Sequence, residues 1–158
     1  MAIKNSIYIG LICLFITACN DMNIRSALDS GNDYESIHKR ANSAYLRQEW
    51  VNAERDYQTL AKQRPGELET WYRLGNIYAN TDNLDAAVRA YRKALDIDAK
   101  NSKVWNNLGV VQLRQATRTF VEMYQNADSS DPLKERAEYV VDNMSKLMKT
   151  AFNASVSD

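Results

Sequence analysis

Apolar residues recur along most of this chain at steps of three and four, the period of a helix with one buried face. From Val104 the stripe runs through Leu108 and Val111, lapses at Gln115, and resumes at Thr119, Met123 and Ala127, with Trp105, Ala116, Phe120 and Tyr124 beside it. Nothing between Ser102 and Asn126 breaks a helix, so one long helix is predicted over about 103–126. "SSDP" ends it, with Asp131 placed as N-cap and Pro132 at the first helical position of the next element. There Leu133, Ala137, Val140, Val141, Met144, Leu147, Met148, Ala151 and Phe152 share a face, which predicts an amphipathic helix over 131–152 that folds back and caps the structure. Upstream, "NTDNLD" from Asn80 to Asp85 carries the Asn and Asp residues that stop one helix and N-cap another.

The pattern also repeats at long range. Trp71 and Trp105, Leu74 and Leu108, Gly75 and Gly109, Ala53 and Ala87, Tyr57 and Tyr91, and Asn42 and Asn76 are all 34 positions apart. These residues resemble the tetratricopeptide repeat, a helix-turn-helix unit of that length with the signature Trp-x2-Leu-Gly-x2-Tyr, then Ala-x3-aromatic, then Pro.

The unit at 68–101 keeps Trp71, Leu74, Gly75, Tyr78, Ala87, Tyr91 and Ala94, with Ala99 where proline is usual. The unit at 34–67 keeps Ala53, Tyr57 and Pro65 but has Ile37 for the tryptophan and Ala41 for the glycine. A third, at 102–127, starts with Trp105, Leu108 and Gly109 and then degenerates, with Gln112 in place of the tyrosine and Val121 in place of the alanine. The expected fold is all-α: a solenoid of helical hairpins with two regular repeats and one degenerate repeat built on a long helix, closed by the C-terminal helix. Gly75 and Ala87 are expected where helices cross, with Trp71, Leu74, Tyr78 and Tyr91 filling the surrounding space. One unit cannot bury its own apolar face, so stacking must supply a continuous core.

The first residues follow another logic. "MAIKNSIYIGLICLFITACN" has a positive charge at Lys4 and an apolar stretch from Ile7 to Ala18, which is 12 residues and too short to cross a bilayer. It reads as a signal peptide over 1–18. Ile16-Thr17-Ala18-Cys19 resembles a bacterial lipobox, which implies that Cys19 is acylated, for example with palmitate, and becomes the mature N-terminus. Cys13 is then discarded, and no disulfide can form within the mature chain. Asn20 follows the cysteine directly and Asp21 comes one place later. By the sorting rule of such lipoproteins this implies the periplasmic leaflet of the outer membrane, with the inner membrane as the alternative. Residues 19–33 are polar, with a Ser-Gly-Asn turn, and read as a lipidated tether.

Charge changes the picture little: 20 basic and 20 acidic side chains leave no nucleic-acid footprint. The short run "RAYRK" from Arg89 to Lys93 lies on a helix whose other residues build core, so nucleic acid is not an expected partner. His38 is the sole imidazole and, with Cys19 acylated, has no nucleophile beside it. No phosphate loop, cofactor motif or metal-ligand set is present in the sequence, so no cofactor or metal is expected and an enzyme is the disfavoured class.

A binding surface is the favoured one. In the resembled family the first helices of successive units line a concave groove for peptides or partner helices. Positions there not used for packing are His38 and Asn42 in the first unit, Tyr72, Arg73, Asn76 and Asn80 in the second, and Lys103, Asn106, Asn107 and Arg114 in the third. Some members clamp a peptide's terminal carboxylate on this face. Here Asn42 and Lys103 agree with that clamp in place and type, His38 replaces a lysine, and Arg73 and Asn107 exchange the usual asparagine and arginine. The resemblance therefore implies a membrane-anchored periplasmic adaptor that binds a protein or peptide of the cell envelope, in assembly of a pilus or secretion complex. An accessory scaffold for cell-wall or polysaccharide enzymes is the alternative, and a hydrolase with an unrecognised site is third. Oligomeric state is open.

Overall fold

The computed structural model describes residues 33–155, with side chains through 150. The signal peptide, Cys19 and the tether up to residue 32 lie outside the described residues. All described elements are helices: α1 (33–46), α2 (Trp50–Gln63), α3 (Leu68–Asn80), α4 (Leu84–Ile97), α5 (Ser102–Asn126) and α6 (Pro132–Ser155). None is long and apolar enough to cross a membrane.

Successive helices pack as antiparallel neighbours, α1 with α2, α3 with α4 and α5 with α6, and the hairpins stack through α2 on α3 and α4 on α5. Two regions of core result. The first joins Tyr34, Ile37, Ala41, Tyr57, Leu60, Leu74, Ile77 and Ala90. The second joins Leu84, Ala87, Tyr91, Ala94, Val104, Leu108 and Val111. Trp71 and Tyr78 pack against both, so the interior is continuous, as stacking requires. Complete burial of side chains such as Leu60, Leu74 and Ile77 contributes roughly 1.5–3 kcal/mol each.

The 34-residue spacing reappears as geometry. The Trp71 indole N–H donates to the Pro65 carbonyl at 2.8 Å, and that of Trp105 to the Ala99 carbonyl at 2.9 Å. The bond needs only a carbonyl, so alanine in place of proline does not interrupt it. Tyr57 donates its hydroxyl to Asn42 Oδ1 at 2.6 Å, and Tyr91 donates to Asn76 Oδ1 at 2.7 Å. In the turns, Gln48 and Asp82, again 34 apart, both take left-handed backbone with φ of 57° and 62°. Asn83 and Asn101 cap α4 and α5 by accepting from the amides of Ala86 and Val104. Asp131 Oδ1 likewise accepts from the Leu133 amide at 2.8 Å, with Pro132 opening α6.

The third unit departs from the other two. At the position equivalent to Gln48 and Asp82 stands Ala116, a strong helix former, and α5 runs on through it for 25 residues. The second helix of a regular unit is thus missing from its place. Trp71 is half-buried and packs against both regions of core, whereas Trp105 packs against neither and is 54% exposed. Gly109 likewise departs from the expectation for its counterpart: a β-carbon there would meet nothing within 4 Å. The apolar stripe of α6 is only partly covered. Ala137 is fully buried and Met144 accepts a bond from Thr117, while Leu133 and Leu147 are 49% and 60% exposed, because α6 packs mainly on α5.

Candidate functional site

The first helices of the three units, α1, α3 and α5, meet along one face. Asn76, in the middle of α3, joins them: its Nδ2 donates to the Tyr45 hydroxyl of α1 at 3.1 Å, and its Oδ1 accepts from Asn107 of α5 at 3.0 Å as well as from Tyr91. Asn107 Nδ2 also reaches the Tyr72 hydroxyl at 3.3 Å. A carboxamide suits this position because it donates and accepts at one site. Burial pushes the Tyr91 phenol well above its ordinary pKa, with the hydrogen bond from Asn107 pulling the other way.

Beside this network α3 and α5 enclose a cleft of about 420 Å³, lined by Asn76, Ala79, Asn80, Tyr91, Asn107, Val110, Val111 and Arg114. Its floor is apolar and its edges carry carboxamides and one guanidinium. Four of the residues expected on this face, Asn76, Asn80, Asn107 and Arg114, come together here. Two of them are committed to internal ties besides. Arg114 donates to the Ala79 carbonyl at 2.8 Å and to Asp82 at 3.0 Å, and Asn80 Nδ2 donates to the Asn76 carbonyl at 2.8 Å.

The other expected residues stand apart from the cleft. His38 stacks on Tyr34 at a centroid distance of 6.2 Å, and Asn42 is held by Tyr57. The Arg73 guanidinium is paired with Glu69 at 2.6 Å and lies 4.5 Å above the Tyr45 ring. Tyr72 lies against the ring of Tyr91, and Asn106 donates to Asn107 Oδ1 at 3.3 Å. Lys103 is exposed at the start of α5. Arg73 and Asn107, two positions of the expected carboxylate clamp, thus make contacts within the chain.

Sequence reasoning did not find the clamp on the α3–α4 turn. Arg114 and Arg118 of α5 both hold Asp82, at 3.0 and 2.7 Å, and Gln115 holds Asp85 at 2.6 Å. These residues are 30 to 36 positions from their partners, so no local signal marks them; only the straight course of α5 past the usual turn brings them into reach. Sequence reasoning also did not find Asp56, a buried carboxylate on α2. Arg40 contacts it at 2.6 and 3.1 Å and Arg55 at 3.0 Å. The hydrogen bonds from Arg40, with help from Arg55, hold its carboxyl below the usual range although burial acts the other way. Among the described residues no group of three or more His, Cys, Asp or Glu is placed to hold a metal ion.

The stacked hairpins, the conserved spacing of their internal bonds and the amide-lined inner face define a helical-repeat interaction module. Residues 75–115 match the family model described as TPR repeat, so this stretch is similar to tetratricopeptide repeats. The chain is also similar to the general transcriptional corepressor ssn6 of Schizosaccharomyces pombe (strain 972 / ATCC 24843), 35% identical over 68 residues. That alignment covers 42% of this chain and 6% of the relative, so it concerns a small part of a much longer protein.

Proposed function

We propose that this protein is a lipid-anchored adaptor of the bacterial cell envelope, which holds a segment of a partner protein on the face formed by α1, α3 and α5. The repeat match supports protein–protein interaction as the role. The observation that carries the choice of face is the cleft between α3 and α5, where the apolar floor of Ala79, Val110 and Val111 is edged by Asn80, Asn107 and Arg114. Such a surface takes an apolar side chain on its floor and bonds the adjoining peptide backbone at its rim. Lys103 and Asn106 extend the polar edge along α5.

The charged n-region, short apolar core and Ile16-Thr17-Ala18-Cys19 support anchoring through an acylated Cys19, and Asn20 supports the outer membrane over the inner. Several acyl chains would hold the module at the membrane while its repeats remain in water, raising the local concentration of whatever the inner face binds. Assembly of a pilus or secretion complex is the setting drawn from the resemblance to small repeat lipoproteins, and a scaffold for cell-wall or polysaccharide enzymes is the alternative client.

Two substitutions test this reading. Cys19→Ala should abolish lipid labelling and move the protein out of the membrane fraction; unchanged fractionation would end the anchoring proposal. Val110→Glu puts a charge on the cleft floor without touching the buried core, and should abolish co-purification of envelope partners with the lipidated protein while its thermal unfolding is retained. Partners kept by Val110→Glu would place the interface elsewhere.

A further inference from the structure

On the opposite side of the stack, the second helices α2 and α4 hardly approach each other. Between them lies an open slot of about 330 Å³. Its floor is Trp71, Leu74, Ala61, Ala86 and Ala90, and its rim carries Lys62 from α2 and Arg89 and Lys93 from α4. The three alanines are what keep it open, since larger side chains there would fill the space between the two helices. The Trp71 indole N–H already bonds the Pro65 carbonyl, so the ring offers the slot an apolar surface with no unmet donor.

The three charged side chains of the rim are all cationic. None of Lys62, Arg89 and Lys93 forms an ion pair among the described residues, although Arg40, Arg47, Arg55, Arg73, Arg114 and Arg118 all do. Of the acids nearby, Glu54 accepts from Gln58, which also donates to the Tyr78 hydroxyl at the end of the slot, Asp85, one turn before Arg89 on α4, accepts from Gln115, and Asp96 follows Lys93 by three residues. Arg89 and Lys93 are one turn apart on α4, about 6 Å along its axis, the spacing at which carboxylates recur on a facing helix.

We propose that this slot docks an acidic amphipathic helix of a partner protein. Its apolar ridge lies over Trp71 and the alanines, and its carboxylates pair with Lys62, Arg89 and Lys93. The site is separate from the cleft between α3 and α5 and does not depend on the reading of that face. An apolar floor with cations of one sign around it selects for a ligand that is apolar on one side and acidic on its flanks. Three cations are too few for a nucleic-acid track.

The test uses the full-length lipidated chain in neutral detergent, carrying Trp50→Phe and Trp105→Phe so that Trp71 alone reports. The probe is a synthetic helix of about four turns, matched to the 14-residue α2 and α4, with leucine along one face and glutamate on its flanks. A second peptide has lysine for every glutamate, and phosphatidylglycerol vesicles form the third arm. The glutamate peptide should shift Trp71 emission to saturation. Its affinity should fall about tenfold or more in Arg89→Glu with Lys93→Glu, and should weaken with added salt as screening of exposed charges requires. Both substituted residues are exposed, and circular dichroism checks that the helices are retained. Equal binding of the lysine peptide, indifference to the charge reversal, binding to the vesicles only, or no binding of the glutamate peptide would each overturn the proposal.

Discussion

Gly75 and Tyr91 are in direct contact across the α3–α4 crossing: a β-carbon on Gly75 would stand 2.4 Å from Cε1 and 2.5 Å from Cδ1 of the Tyr91 ring. The ring cannot simply withdraw, because its hydroxyl is fixed on Asn76 at 2.7 Å and its body is buried. Gly75→Ala should therefore destabilise the fold by about 1–3 kcal/mol through overpacking, despite alanine's better helix propensity. The same change at Gly109, where a β-carbon meets nothing, should stabilise by about 0.5–1 kcal/mol. Urea midpoints of the two variants should move in opposite directions.

Asn76 ties three units together, whereas its counterpart Asn42 accepts from Tyr57. Asn76→Ala leaves the Tyr91 hydroxyl unpaired in a buried place and releases Tyr45 and Asn107, for an expected loss of about 2–4 kcal/mol. Asn42→Ala should lose about 1–2 kcal/mol. Chemical denaturation of both variants measures the difference, and equal losses would remove Asn76 from its bridging role.

Stability should fall at both ends of the pH scale. Burial raises the Tyr57 phenol to about 12 from an ordinary value of 10.0, and raises Tyr91 further. Folding thus favours the neutral phenols, and their contribution is whole below pH 10 and is lost as pH rises through 12 and beyond. Asp56 behaves in the opposite sense. Its folded pKa is depressed, so its contribution is whole above the unfolded carboxylate value of about 3.9 and is lost as pH falls through the folded one. Tyr91→Phe should flatten the alkaline side of a melting-temperature profile, and Asp56→Asn the acid side.

Gln48 adopts a left-handed backbone, which costs a non-glycine residue about 1–2 kcal/mol, partly offset by the lower chain entropy of glutamine. Gln48→Gly should raise stability by about 0.5–1 kcal/mol in a thermal melt. Asp82→Gly relieves the equivalent strain but releases Arg114 and Arg118, and should show a smaller gain or none.

Much of this molecule was determined by its sequence alone. The spacing of Trp71 and Trp105, of Tyr57 and Tyr91, and of Asn42 and Asn76 specifies helical hairpins. The two tryptophans bond equivalent carbonyls, those of Pro65 and Ala99, and each tyrosine bonds the asparagine of its own unit, Tyr57 that of position 42 and Tyr91 that of position 76, and such contacts follow from residue type and register. The long α5 is legible too, since a helix continues where no turn residue stops it. The inner face was legible only as a row of polar positions on α1, α3 and α5.

Tertiary packing decided what those polar residues do. Arg73 pairs with Glu69 one turn back on its own helix, but it also lies over Tyr45 of α1, and Asn107 bonds Asn76 and Tyr72 of α3, because neighbours from other helices come within reach of side chains that periodicity can only place on a face. The same holds for the Asp82 clamp and for the slot over Trp71. Both depend on how far α5 continues and how widely α2 and α4 stand apart, and those distances are set by the sizes of side chains meeting across the core, which neighbours in sequence do not determine.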